Sequence, residues 1–161
     1  MSLAIIPGSF DPMTLGHLDL VKRALALYDE VVVAVMINPK KCYRYTLEER
    51  AEIVRLTLGD LERVRVVQSE GLLVDLFDQL HADVIVKGIR NGRDRLYEEE
   101  MAAWNLEHNP RAETVFLQAA DDFEDVSSTE VRSLLDRGEQ PRGLVAPAVE
   151  AFLAAREVDK Q

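Results

Sequence analysis

Short apolar runs alternate along this chain with longer stretches in which apolar positions recur at helical spacing, the signature of strands interleaved with amphipathic helices. Residues 3–6 read as a buried strand, and in residues 18–27 Leu18, Val21, Ala24 and Leu25 recur on one helical face. Residues 31–37, rich in β-branched side chains, read as a strand buried on both faces, as in parallel sheets. Thr46-Leu47-Glu48-Glu49 has the Thr-x-x-Glu form of a capping box. It opens a helix that runs to Leu58, turns Ile53, Leu56 and Thr57 inward, and stops at Gly59-Asp60.

Residues 64–67 form a third strand, and Gly71-Leu72-Leu73-Val74 starts a third helix that packs through Leu76, Phe77 and Leu80. Residues 83–87 form the fourth strand, with the charged turn Lys87-Gly88-Ile89-Arg90 immediately after it. From Leu96 to about residue 107 the pattern is helical and acidic, with Tyr97, Met101 and Trp104 near one face, as for helix packing or contact between subunits. Residues 114–117 form a fifth strand. Ser127-Ser128-Thr129-Glu130 repeats the capping pattern before a helix through Leu135 that Gly138 ends, and residues 148–156 make the last helix.

This alternation predicts right-handed crossovers and a doubly wound, Rossmann-like α/β fold: a five-stranded parallel sheet with helices on both faces, in a single domain spanning residues 1–161. In such a sheet the loops after the first, second, fourth and fifth strands open at one edge. Ser9 to His17, Lys41, Lys87 to Arg90 and Ser127 to Thr129 are expected to meet there.

Composition narrows the chemistry. Of 161 residues 19 are basic and 29 acidic, a formal charge of −10, the wrong sign for a protein that binds nucleic acid by neutralising its phosphates. Small phosphorylated ligands stay open through two local basic clusters, Lys40-Lys41 with Arg44, and Lys87 with Arg90, Arg93 and Arg95. No apolar run approaches the roughly 18 residues of a membrane span, and no basic region precedes the first strand as in a secretory signal. The single cysteine, Cys42, allows no internal disulfide and reads as a passive loop residue; a cytoplasmic setting is expected.

The stretch richest in chemistry is Pro7-Gly8-Ser9-Phe10-Asp11-Pro12-Met13-Thr14-Leu15-Gly16-His17, a strand-to-helix turn. Gly8 is expected to let the backbone approach a ligand, Pro12 to stiffen the loop, and Gly16 to leave room beside the helix start. His17 stands in or next to the first helical turn, where unpaired N–H groups and the helix dipole attract anions, so a phosphate pocket is expected. Neither a Gly-x4-Gly-Lys-Ser/Thr loop nor a Gly-x-Gly-x-x-Gly fingerprint occurs, which removes the usual support for a P-loop kinase or a dinucleotide dehydrogenase. Thr14-Leu15-Gly16-His17 instead resembles the (T/H)xGH motif of nucleotidyltransferases. With Pro-Gly-Ser-Phe-Asp-Pro before it, the stretch is similar to that of the phosphopantetheine adenylyltransferase family. The resemblance continues in order through Asn38-Pro39-Lys40-Lys41, Thr46-Leu47-Glu48-Glu49-Arg50, Gly71-Leu72-Leu73-Val74-Asp75, Lys87-Gly88-Ile89-Arg90, Tyr97-Glu98 and Ser127-Ser128-Thr129.

What the resemblance implies is transfer of the adenylyl group of ATP to 4′-phosphopantetheine, giving dephospho-coenzyme A and pyrophosphate, with Mg²⁺ as cofactor and a homohexamer as assembly. It implies His17, Lys41 and Arg90 as catalytic residues, His17 stabilising the transition state. It implies an ATP site of Ser9, Phe10, His17, Gly88, Ile89, Arg90, Glu98, Phe123, Glu124, Asp125, Val126, Ser127, Ser128 and Thr129, and an acceptor site of Ser9, Lys41, Leu73 and Lys87. From composition alone Leu73 is a core leucine, and Ser127 and Ser128 are also helix caps. Metal ligands are not identified. The reaction suits the inventory, because a phosphate monoester with a second pKa of about 6 is ionised at neutral pH and needs no general base. Positioning and cationic stabilisation then supply the catalysis.

Three departures from the family pattern stand out. Lys87 replaces a frequent arginine, which keeps the charge and gives up bidentate geometry. Asp94-Arg95-Leu96-Tyr97-Glu98 stands for Asp-Phe-Glu-Tyr-Glu, and Phe123-Glu124-Asp125-Val126-Ser127-Ser128-Thr129 brings two carboxylates into a loop expected near ATP, able either to weaken its binding or to recruit Mg²⁺. The Ser-Ser-Thr-Glu-Val-Arg ending also resembles the nicotinate-mononucleotide branch. A mononucleotide acceptor and a non-catalytic nucleotide or coenzyme A binding protein are therefore the alternative readings.

Overall fold

Strand residues here are apolar at consecutive positions because both faces of the sheet are covered. The computed structural model describes residues 1–123 and 125–159. Its strands are β1 (Leu3–Gly8), β2 (Glu30–Met36), β3 (Val64–Ser69), β4 (Val84–Ile89) and β5 (Thr114–Gln118). Its helices are α1 (Leu15–Leu27), α2 (Leu47–Leu58), α3 (Leu73–Gln79), α4 (Gly92–His108), α5 (Ser128–Asp136) and α6 (Pro147–Asp159), with a 3-10 turn at Asp121–Phe123. All strand pairs are parallel, in the order β3-β2-β1-β4-β5. This is the doubly wound, Rossmann-like arrangement that the alternation predicts.

Alternation of side chains along each strand sorts the two faces. Ala4, Ile6, Val31, Val33, Val35, Val84 and Val86 turn to one face, where they meet apolar residues of α1, α2, α5 and α6. Leu3, Ile5, Val32, Ala34 and Ile85 turn to the other, covered by Val74, Leu76 and Phe77 of α3. The chain steps outward from β1 to β3, then returns through α3 to begin β4 on the far side of β1. The order reverses between β1 and β4, and the loops leaving their C-terminal ends part there to open a crevice.

Three boundaries differ from the pattern reading. β4 continues to Ile89, so Lys87 and Gly88 are strand residues paired with Phe116 and Leu117, and only Arg90 stands on the loop. A charge is tolerated in the strand because the Lys87 ammonium reaches Glu98 of α4, 3.6 Å away. α4 begins at Gly92 rather than Leu96, since Asn91 caps it by accepting the Asp94 N–H at 2.9 Å. α1 begins at Leu15, which puts His17 within its first turn. Of the two settings expected for Met101 and Trp104, packing within the chain does not occur. Asn105 is the buried residue of α4, while Leu96, Tyr97, Met101, Trp104 and Leu106 are exposed. Among the described residues no helix is long and apolar enough to cross a membrane.

Phe77 is fully buried and anchors the short α3 in the second face. Phe77→Ala is expected to lower the unfolding free energy by about 3–5 kcal/mol, seen as a lower urea midpoint at unchanged slope. A loss below about 1 kcal/mol would mean that α3 is held by other contacts.

Candidate functional site

The crevice at the switch point is a cleft of about 350 Å³, walled by the turn after β1, the start of α1, the end of β4, α4 and the start of α5. It gathers Ser9, Phe10, His17, Lys41, Lys87, Gly88, Ile89, Arg90, Glu98, Phe123, Val126, Ser127, Ser128 and Thr129, residues far apart in sequence. Two expected members are not among its walls. Leu73 is half-buried and packs against the second core face, and Asp125 is exposed outside the lining. Glu124 lies outside the described residues. The lining also includes Asp11, Asp19, Arg23, Asp94 and Arg132, which the sequence reading did not single out. For Arg132 a signal existed: it follows Ser128 by one helical turn.

His17 is held by a capping box in which it takes the place usually filled by Glu or Gln. Thr14 Oγ1 accepts the His17 N–H at 3.4 Å, and His17 Nδ1 accepts the Thr14 N–H at 3.0 Å. Because a main-chain N–H occupies Nδ1, the neutral ring carries its proton on Nε2. The Phe10 ring meets the imidazole edge-on at 5.1 Å between centroids. Part of His17 stays open to the cleft, yet burial, helped by the positive charges of Lys87 and Arg90, brings its pKa down from 6.5 to about 4. The result is a neutral imidazole with an N–H to donate, standing at a helix N-terminus among cations.

The turn that carries Ser9 is pinned from several sides. Arg50 Nη1 donates to the Ser9 carbonyl at 2.7 Å, Arg132 Nη1 to that of Asp11 at 2.8 Å, and Ser128 Oγ to that of Pro12 at 2.7 Å. The buried Asp11 carboxylate accepts the N–H groups of Arg44 at 2.9 Å and Tyr45 at 3.1 Å. Gly8 also leaves room for its own turn: a Cβ there would lie 3.0 Å from the Phe10 ring. Gly16 does leave the room expected of it, since a Cβ would lie 3.3 Å from the Val126 carbonyl oxygen. The hydroxyls at the start of α5 already have partners. Ser127 accepts the Glu130 N–H at 3.1 Å, Ser128 is committed to Pro12, and Thr129 accepts from Arg132 at 3.1 Å.

Three cations of the cleft are paired with carboxylates. Lys87 lies 3.6 Å from Glu98, Arg90 Nε 3.2 Å from Asp94, and Arg23 3.9 Å from Asp19. Lys41 is exposed at the rim, on the segment between β2 and α2. Among the described residues no group of three or more His, Cys, Asp or Glu side chains is arranged to hold a metal ion. Such a site can bind two phosphorylated groups side by side and donate hydrogen bonds to a phosphoryl centre between them.

Known proteins resemble the chain throughout this region. The Cytidylyltransferase-like family matches residues 5–134. A phosphopantetheine adenylyltransferase from Symbiobacterium thermophilum is 45% identical over 147 residues, 91% of each chain. One from a Nocardioides species is 44% identical over 156 residues, 97% of this chain and 98% of its own. One from Limosilactobacillus reuteri is 42% identical over 138 residues, 86% of this chain and 80% of its own. Among solved structures, a candidate nicotinate-nucleotide adenylyltransferase from Vibrio parahaemolyticus superposes with a TM-score of 0.67. The match covers 96% of this chain and 99% of the other at 20% identity, a likeness of fold alone.

The pH dependence of stability follows from His17. With its pKa lowered on folding, the unfolded chain takes up this proton first, so the contribution is complete above pH 6.5 and lost as pH falls toward 4. Between pH 7 and 5 the ligand-free protein is expected to lose about 1–2 kcal/mol more than a His17→Gln variant. Nitrogen NMR is expected to show the Nε2–H tautomer across the same range. Equal losses in the two proteins, or an imidazolium signal at pH 6, would contradict this account of the ring.

Proposed function

The chain belongs to the phosphopantetheine adenylyltransferases of the cytidylyltransferase-like family; from that premise we propose that it transfers the adenylyl group of ATP to the phosphate of 4′-phosphopantetheine. The products are dephospho-coenzyme A and pyrophosphate, and the reaction is a step of coenzyme A synthesis. The observation that carries the reading is the meeting of a neutral His17 donor with Lys41, Lys87 and Arg90 around one cleft.

In this mechanism an oxygen of the acceptor phosphate bonds to the α-phosphorus as the bond to the bridging oxygen of the β-phosphate breaks, and pyrophosphate leaves with that electron pair. The acceptor is already ionised, its second pKa being about 6, so no side chain removes a proton. His17 Nε2–H donates to a non-bridging α-phosphate oxygen and strengthens as charge builds up there. Lys41, Lys87 and Ser9 hold the acceptor phosphate, and Arg90 the β- and γ-phosphates. Gly88, Ile89, Phe123 and Val126 wall the nucleotide, and the start of α5 turns its N-terminus to the triphosphate. Glu98 and Asp94 keep Lys87 and Arg90 aimed at the cleft until a polyanion takes their place.

Mg²⁺ belongs to the proposal as a partner of the triphosphate, whose charge it neutralises. It commonly binds through substrate phosphates, waters and one or two carboxylates, which fits a cleft whose described residues build no metal cage; the lining carboxylates are Asp11, Asp19, Asp94 and Glu98, of which Asp11 is committed to Arg44 and Tyr45. The proposal includes a cytoplasmic setting and a homohexamer, as the family resemblance implies. The exposed apolar side chains of α4 supply surface for such an assembly.

With ATP, Mg²⁺ and 4′-phosphopantetheine the purified protein is expected to form dephospho-coenzyme A and an equal amount of pyrophosphate, with nicotinate mononucleotide unable to compete. Release only with the mononucleotide would change the acceptor, and tight ATP binding without release would leave a binding protein. His17→Ala is expected to lower kcat by about 10²–10³-fold while ATP affinity changes far less, because its hydrogen bond is strongest in the transition state. Equal losses in both would remove that role.

A further inference from the structure

Arg50 is among the largest fully buried side chains, 1% exposed, and the mechanism above makes no use of it. It sits on α2, outside the lining of the cleft. Its guanidinium makes three bonds, all to main-chain carbonyls: Nη1 donates to Ser9 at 2.7 Å and to Met36 at 3.0 Å, and Nε to Tyr45 at 3.2 Å. Its plane lies over the Tyr43 ring, 3.9 Å from the centroid. Tyr43 Oη in turn accepts the Asn38 N–H at 2.7 Å and lies 3.4 Å from Ser9 Oγ.

Met36 and Tyr45 flank residues 37–44, the segment that carries Lys41, while Ser9 belongs to the turn after β1. One side chain therefore ties together two walls of the cleft. Burying a guanidinium is costly, and here the cost is offset by the carbonyls of Ser9, Met36 and Tyr45, which an apolar side chain would leave without this donor. What an apolar residue lacks, and the single ammonium of lysine cannot reproduce, is a rigid fork that reaches three carbonyls at once.

We propose that Arg50 is a positioning residue that sets the gap between the Ser9 turn and the Lys41 segment, and with it the alignment of the acceptor phosphate against the α-phosphorus. The proposal rests on the adenylyl-transfer reading for its consequence in catalysis; the clamp itself is a property of the fold. Each wall keeps its own binding groups when the clamp is weakened, so binding survives better than alignment does, and alignment errors near 1 Å cost rates about 100-fold.

Arg50→Lys tests this beside Arg63→Lys. Arg63 also donates to three carbonyls, those of Leu25, Tyr28 and Asp29, but away from the cleft. Arg50→Lys is expected to lower kcat by between about tenfold and 100-fold, with KM for ATP and for 4′-phosphopantetheine each within about threefold. Arg63→Lys is expected to leave kcat unchanged even where it lowers the melting temperature. Amide exchange in Arg50→Lys is expected to accelerate in residues 9–13 and 37–45 together, with other segments as in wild type. If Arg50→Lys does not fold, Tyr43→Phe, which removes the bonds to Asn38 and Ser9, is expected to show the same paired acceleration and a smaller fall in kcat. Unchanged kcat, a rise in KM alone, or exchange that accelerates everywhere would overturn the proposal. Wild-type protein without turnover would remove the adenylyl-transfer reading, and the exchange pattern would still decide the clamp.

Discussion

Main-chain carbonyls in a turn that belongs to neither strand nor helix must find donors elsewhere, because a buried polar group left unpaired costs about 1–3 kcal/mol. The turn after β1 meets this constraint with side chains brought from a distance: Arg50 from α2, Ser128 and Arg132 from α5. The Asp11 carboxylate completes the arrangement by capturing two N–H groups of the segment ahead of α2. This turn is thus a junction rather than a free loop. It takes its shape only when α2 and α5 have docked on the same face of the sheet, where their apolar residues join one core. Packing and site geometry depend on the same contacts.

The electrostatics of the cleft follow from its place in an acidic chain. A formal charge of −10 opposes the approach of polyanions over most of the surface. Local cations oppose that field at the switch point, and two of them are restrained by carboxylates: Lys87 by Glu98 and Arg90 by Asp94. These pairs are partly exposed and of modest worth on their own, so phosphates can replace the carboxylates at low cost. His17 contributes differently. Among cations and partly out of water, its ring is neutral, and the Thr14 N–H on Nδ1 assigns the proton to Nε2. The site therefore holds a hydrogen-bond donor whose state does not depend on pH near neutrality.

Much of this was legible in the sequence wherever local chemistry was decisive. The capping box at Thr46 opens α2 as read, with both reciprocal bonds made. Apolar runs marked all five strands, and their alternation with helices predicted one parallel sheet, whose order β3-β2-β1-β4-β5 came from the structure. Reading fell short at the end of the fourth strand, which the pattern stops at Lys87, whereas β4 runs on through Gly88 to Ile89 by pairing with β5. For α4 the pattern left helix packing and contact between subunits both open, and within the chain its apolar side chains face outward. Leu73 was indistinguishable in pattern from a core leucine, and it packs as one. Arg50 and Arg132 were passed over because a charged residue in a helix reads as solvent-facing until its partners are known.

The sequence by itself determined the order of strands and helices along the chain and the capped entries of α2 and α5, because periodicity and capping act over a few residues. It also determined the family. Only the tertiary structure decided that Arg23 and Arg132 join the cleft, which tautomer His17 holds, that Leu73 and Asp125 stand apart from the cleft, and that a buried arginine binds two of its walls. The physical reason is range. Hydrogen bonds and charge pairs act over a few ångströms, and the residues that make them here are brought within that distance by the sheet rather than by the chain.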